Sequence, residues 1–99
     1  MAKFQVIGET KYSKEELTTV IVEHLKGRLF EIEQQMQELE KTVDILQRKY
    51  GVVWDVFSER FRKGELGEDA DLDYVEWHAA VELLGELRKE RDMLTEVLS

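Results

Sequence analysis

Hydrophobic side chains recur along this chain at alternating steps of three and four residues, beginning at Val22. Every position of this repeat is apolar or aromatic as far as Tyr50. A repeat of 3.5 residues places these side chains on one stripe of an α-helix, which is typical of coiled coils. We call this stripe the first seam; it consists of Val22, Leu25, Leu29, Ile32, Met36, Leu39, Val43, Leu46 and Tyr50. The pattern predicts a long helix over about residues 14–50.

Local signals indicate where this helix begins and ends. Ser13 and Glu16 have the spacing of a capping box, in which the serine hydroxyl accepts the amide hydrogen of Glu16 and the carboxylate accepts that of Ser13. Gly51 follows the seam, and glycine readily adopts the left-handed conformation just past a helix C-terminus. Because Val53 and Phe57 continue the spacing, two interpretations of Gly51 stay open. It ends the helix, or it bends a longer one.

A second seam of the same spacing lies near the C-terminus and is interrupted by Arg91. It consists of Trp77, Ala80, Leu84, Leu87, Leu94 and Leu98. Gly64 and Gly67 break the periodicity before it. Asp73 and Glu76 again have capping-box spacing, so we predict a last helix over about residues 72–98.

Two long helices of similar length predict an all-α fold, a long antiparallel coiled-coil hairpin within a single domain over residues 13–99. A short helix over about residues 52–63 is expected to pack across the turn through Trp54, Phe57 and Phe61. Two helices bury only a strip of surface, so we expect oligomerisation, as a homodimer or higher, to complete the core. Apolar residues off the seams that could be covered in this way are Phe30, Ile45, Leu83, Met93 and Val97.

Residues 1–12 differ from the rest of the chain. Phe4, Gln5, Val6 and Ile7 form a short, mostly apolar run that Gly8 closes, as in a brief strand. One strand cannot form a sheet alone. Three interpretations stay open: the segment is disordered, pairs with the same strand of another copy, or adds to the sheet edge of a partner.

Composition narrows the classes of function. The chain has no cysteine, so disulfides and thiolate metal sites are excluded, and it has no apolar stretch long enough for a membrane span. We therefore expect a soluble, cytoplasmic protein. A net charge of −8 repels a phosphate backbone and argues against direct nucleic-acid binding. A charged fraction of 36% in a chain without proline is a composition that suggests a thermophile.

No catalytic or metal constellation is complete. Asp69, Asp71 and Asp73 have the spacing that opens a calcium loop, but Tyr74 and Ala80 stand where that loop needs glycine and glutamate. Glu65, Glu68 and the nearby aspartates form an alternative candidate, a magnesium cluster for nucleotide hydrolysis, although these acids lie mostly in a loop rather than on facing helices.

The two histidines, His24 and His78, have no serine or second histidine at relay or ligand spacing. We predict no catalytic, cofactor-binding or metal-binding residues, and a protein that is not an enzyme. One alternative hypothesis is an all-α enzyme with a carboxylate-bound metal.

One stretch has a strongly one-sided charge. Between Lys63 and Arg88 there is no lysine or arginine, whereas eight residues are acidic. Such a run is either a solvated face or a docking surface for a basic partner, with aromatic side chains as anchors. The candidate partner-binding residues are Glu65, Glu68, Asp69, Asp71, Asp73, Tyr74, Glu76 and Trp77.

About residues 39–98 resemble a group of short archaeal and bacterial helical proteins. The matching positions are Lys49-Tyr50-Gly51, Phe57, Phe61, Gly64-Glu65-Leu66, Asp71-Leu72, Glu76-Trp77, Ala79-Ala80 and Leu83-Leu84. Members of this group resemble the antitoxin halves of toxin–antitoxin pairs, which are acidic helical chains that wrap and neutralise a basic, RNA-cleaving toxin. The resemblance implies a basic protein partner for this chain.

These observations favour a non-enzymatic, helical protein–protein interaction module. The most specific form of this hypothesis is an antitoxin-like protein. The alternative hypothesis is a structural coiled-coil module for oligomerisation or scaffolding, chaperone-like in its use of paired helical arms.

Overall fold

The structure is a computed structural model that describes residues 11–99; the strand predicted from Phe4 to Ile7 lies outside the described residues. The fold is all-α, as predicted, with three helices. Helix α1 spans Lys14–Tyr50, α2 spans Trp54–Arg62 and α3 spans Ala70–Leu98. None of them is both long enough and apolar enough to cross a membrane.

The predicted ends of α1 are confirmed. The Ser13 hydroxyl accepts the Glu16 amide hydrogen at 3.0 Å, and the Ser13 amide donates to the Glu16 carboxylate at 2.8 Å. Gly51 ends the helix in the left-handed conformation, with φ at 71°. Its amide donates to the carbonyl of Gln47 at 2.8 Å and so satisfies an otherwise unpaired helix-end carbonyl. Of the two interpretations of Gly51, the helix end is correct.

The start of α3 differs from the prediction. The helix begins at Ala70, two residues before the predicted start, and its N-cap Asp69 makes no side-chain capping bond. The predicted capping pair of Asp73 and Glu76 is wrong, because Asp73 lies within the first turn of the helix. Its carboxylate accepts hydrogen bonds from Lys49 and Tyr50 at the end of α1 instead.

Helices α1 and α3 pack antiparallel along the two seams. All fifteen predicted seam positions are buried or partly buried. Interhelical ion pairs fix the direction, because Arg28 near the start of α1 meets Glu90 near the end of α3, whereas Lys49 at the end of α1 meets Asp73. Arg91 interrupts the second seam; its side chain is partly exposed and its guanidinium lies 3.6 Å from the neighbouring Asp92 carboxylate.

Two hydrophobic clusters follow one another along the hairpin. The first is centred on Ile32, Met36, Leu84 and Leu87, contributed by α1 and α3 alone. The second is centred on Leu46, Phe57, Ala70 and Trp77, where α2 joins the two long helices. We call this second region, with the two chain connections, the closed end. The opposite region, with the start of α1 and the end of α3, is the open end.

The hairpin is markedly elongated. Its principal extents are 65 × 25 × 19 Å and its radius of gyration is 20.7 Å, whereas a compact chain of 100 residues has about 13 Å. A structure only two helices thick leaves many apolar side chains at the surface. Exposed large hydrophobic residues include Phe30, Ile45, Leu72, Val75, Met93 and Val97.

A matched pair of isoleucines on α1 tests the seam. Ile32 is 0% exposed and Ile45 is 64% exposed. We expect Ile32→Ala to lower the free energy of unfolding by about 2–5 kcal/mol, because it leaves a cavity between α1 and α3. Ile45→Ala should stay within about 0.5 kcal/mol of the parent. Urea denaturation followed by circular dichroism gives both values, and equal losses would contradict the register.

Candidate partner-binding surface

The closed end is built around a cluster of aromatic rings. Phe57 of α2 stacks on Trp77 of α3 with ring centroids 4.8 Å apart, and Tyr50 approaches Phe57 at 4.6 Å. Phe57 and Trp77 are buried. Gly51 allows the chain to reverse, so that α2 can lay its aromatic face over the junction of the two long helices. The prediction that α2 packs across the turn through Trp54, Phe57 and Phe61 agrees with these contacts.

Trp77 lies in this core. Its side chain is 0% exposed, so it is a seam residue and cannot serve as a surface anchor in the folded hairpin. Its indole N–H has no hydrogen-bond partner among the described residues. The faces of Phe57 and Tyr50 surround the indole instead.

A second group of rings reaches the surface beside this core. Tyr74 stacks on Phe61 at a centroid distance of 4.1 Å and lies 5.9 Å from the His78 ring. Trp54 approaches Tyr74 at 5.3 Å and His78 at 5.7 Å. We call Trp54, Phe61, Tyr74 and His78 the aromatic ladder. The first three are partly buried and His78 is exposed.

The sequence indicated only part of the ladder. Tyr74 is among the predicted partner-binding residues, whereas His78 is not. The sequence could have indicated His78 through its spacing of four residues from Tyr74, because this spacing places both side chains on one face of α3. The ring of Trp54 completes that face from another helix, and no local pattern predicts such a contact. His78 also lies 3.9 Å from the Glu82 carboxylate.

Asp73 ties the ends of α1 and α3 together. One of its carboxylate oxygens accepts hydrogen bonds from the Lys49 ammonium and the Tyr50 hydroxyl, both at 2.6 Å. These bonds hold the pKa of Asp73 below its ordinary value, with Lys49 as the larger cause. They also raise the pKa of Tyr50, because its hydroxyl donates to an ionised carboxylate. Asp73 is only 17% exposed and is engaged within the hairpin.

The other predicted acids are exposed. Glu65, Glu68 and Asp69 lie in the connection before α3, and Asp71 and Glu76 lie in its first two turns. Within residues 11–99, none of these five forms an ion pair with a basic side chain. The acids therefore add exposed negative charge around the closed end, beside the partly exposed ladder, and Asp69 also interacts electrostatically with Lys49.

Charge is distributed unequally along the hairpin. The closed end, residues 42–81, contains nine acidic and five basic residues, a net charge of −4. The middle of the hairpin, residues 29–41 and 82–87, contains six acidic residues and one lysine, a net charge of −5. The open end, comprising residues 11–28 and 88–99, contains six acidic and seven basic residues and is close to neutral. A basic molecule would be attracted to the closed end and the middle over the open end.

The acids do not form a metal site. No group of three histidine, aspartate or glutamate side chains within the described part of the chain is arranged to hold a metal ion. Asp69, Asp71 and Asp73, which have the spacing of a calcium loop, are separated by the helical geometry of α3, and Asp73 is bonded to α1.

No protein-family profile, no curated protein and no solved structure matches this chain at a significant level.

The Asp73 contact gives a pH-dependent prediction. Tyr50→Phe keeps the ring but removes one donor, so we expect the free energy of unfolding to fall by about 1 kcal/mol at neutral pH. Because the pKa of Asp73 is lowered in the folded protein, this stabilisation is present above the ordinary value of 3.8. It is lost as the pH falls through the lower folded value.

Tyr74→Phe is the matched control, since the Tyr74 hydroxyl forms no hydrogen bond with any residue in the range 11–99 while its ring stacks on Phe61. Urea denaturation across the acidic pH range should show a difference that shrinks only for Tyr50→Phe. If the loss of unfolding free energy in Tyr50→Phe does not change with pH, the hydrogen bond from Tyr50 to ionised Asp73 contributes nothing to stability.

Proposed function

We propose that this chain is a non-enzymatic protein-interaction module whose acidic closed end binds a basic protein. The observation that carries the proposal is the run of eight acidic residues without lysine or arginine between Lys63 and Arg88, next to an aromatic ladder that is partly open to solvent. Exposed charges of one sign steer an oppositely charged partner toward the site and raise its association rate.

The ladder adds a preference among basic side chains. An arginine guanidinium can stack on the face of Trp54 or Tyr74 while it pairs with a neighbouring carboxylate. Asp71 lies three residues before Tyr74, and Glu82 lies four residues after His78. Both acids are therefore on the side of α3 that carries these two rings. A lysine ammonium is more strongly hydrated and gains less from such stacking. The closed end therefore suits an arginine-rich surface.

The sharpest version of this function is antitoxin-like, in which the basic partner is a toxin that the hairpin neutralises. The resemblance of about residues 39–98 to such proteins and the acidic charge support it. The second candidate is a structural oligomerisation or scaffold module, which the exposed apolar residues of the elongated hairpin favour. A small basic protein encoded beside the gene would be the natural partner to test for the first version.

A defined basic peptide tests the proposed surface without a known partner. The probe is deca-arginine, with deca-lysine for comparison, and binding is followed by tryptophan fluorescence and stopped-flow kinetics at low salt. We expect tighter binding of deca-arginine. The variant Glu65→Gln/Asp71→Asn/Glu82→Gln should weaken it by about tenfold, because exposed pairs contribute roughly 0.2–1 kcal/mol each. The loss should lie mostly in the association rate.

The matched control is Glu33→Gln/Glu38→Gln/Glu40→Gln, which removes the same number of charges from the middle of α1. Both variants leave Asp73 in place, since that residue stabilises the hairpin. Added salt should bring the parent's association rate toward that of the closed-end variant. If both variants weaken binding equally, the peptide senses only the overall charge, and the scaffold function becomes the better account.

A further inference from the structure

The open end has an apolar patch on the edge marked by the Arg28–Glu90 ion pair. Ile21 lies two helical turns before Arg28, and Val97 lies two turns after Glu90, so the two face each other one heptad nearer the open end. Leu17 and Met93 each lie one turn earlier on the same faces, and Val20 adjoins Leu17. We call Leu17, Val20, Ile21, Met93 and Val97 the open-end patch.

These five side chains are well exposed. Their fractional exposures are 42%, 66%, 55%, 53% and 68% in chain order. Large clusters of exposed apolar side chains mark interaction sites on soluble proteins. The patch therefore needs an occupant.

The occupant is not α3 of the same hairpin. Continued backwards by one heptad, the first seam reaches Glu15 and Thr18, which are polar. The apolar residues of this part of α1 lie on another face of the helix.

The charge distribution favours the open end as the place where a second copy binds. Two copies of a chain with a net charge of −8 repel each other wherever their acidic surfaces approach. The closed end has a net charge of −4, and the middle, residues 29–41 and 82–87, has a net charge of −5, so both repel a second copy. The open end is nearly neutral. Next to the patch, Arg28 and Glu90 neutralise each other through two hydrogen bonds of 2.8 Å.

We propose that the open-end patch binds the same patch of a second copy, in a two-fold dimer whose acidic closed ends point away from each other. An isologous contact brings identical surfaces together, so a neutral, apolar patch is self-complementary where the acidic end is not. Five side chains per copy place the interface at the small end of the size range, and we expect a dissociation constant on the order of micromolar. This inference goes beyond the binding of a basic partner and does not depend on it.

Sedimentation equilibrium of the full chain at micromolar to several hundred micromolar concentration tests the dimer. The parent should approach twice the monomer mass of 11.7 kDa. Ile21→Glu/Val97→Glu should stay at the monomer mass, with a dissociation constant weakened about a hundredfold or more, because four carboxylates would face one another in the contact. Its circular dichroism should match that of the parent, since both side chains are exposed.

The matched control is Leu72→Glu/Val75→Glu. These residues are 81% and 63% exposed on the first turns of α3, at the opposite end of the hairpin. This variant should dimerise like the parent. Small-angle X-ray scattering of the parent should give a maximum dimension well above the 65 Å of one hairpin, because only the open ends overlap.

Salt separates this inference from the proposed function. Added salt should leave the dimer unchanged or strengthen it, because it screens the repulsion between two acidic chains, whereas binding of a basic peptide should weaken. A parent that remains a monomer at several hundred micromolar would overturn the inference. A dimer that the control disrupts instead, or one no longer than 65 Å, would place the contact elsewhere and overturn it as well.

Discussion

The constraint on which this structure depends is that each long helix has only one apolar stripe. A stripe with a repeat of 3.5 residues can be covered by a single neighbouring helix, and α1 and α3 cover each other. Such a pair has no third layer, so its core is a line of side chains rather than a volume. The elongated shape, the partly buried outer seam positions and the exposed apolar residues all follow from this arrangement.

The closed end compensates for the thin core. There α2 adds a third layer, and the largest buried side chains of the protein, Trp77 and Phe57, lie beneath it. Asp73 joins the two long helices through Lys49 and Tyr50. The stability of the hairpin is therefore concentrated at one end. The open end has no such layer, and its last turns depend on the seam and on the Arg28–Glu90 pair.

The sequence predicted the fold where local rules decide it. The seam positions follow from a repeat within a single helix. The helix start at Ser13 depends on a contact with a residue three positions away. The helix end at Gly51 depends on the conformational freedom of glycine. Prediction failed where a partner on another helix decides. Asp73 has the spacing of a capping residue, yet the antiparallel register brings Lys49 and Tyr50 within reach of its carboxylate, and this contact between helices outweighs a local cap.

The candidate surface shows the same division. Its charge could be read directly from the absence of lysine and arginine between Lys63 and Arg88. The arrangement of its aromatic part could not, because the contacts of Trp54 with Tyr74 and His78 depend on how α2 packs against α3. Trp77 is a candidate both for the seam and for the surface, and the structure places it in the seam.

The two proposed surfaces share no residue and lie at opposite ends of a hairpin 65 Å long. Free energies of binding at such distant sites should add, since no side chain contacts both. In the proposed dimer, the two acidic ends become two binding sites held apart by a rigid helical rod. A basic partner that is itself dimeric, with its sites at a matching distance, would then gain affinity from simultaneous engagement, without any new contact. Dimerisation at the neutral end thus strengthens the function of the charged end, and the unequal distribution of charge along the chain permits both.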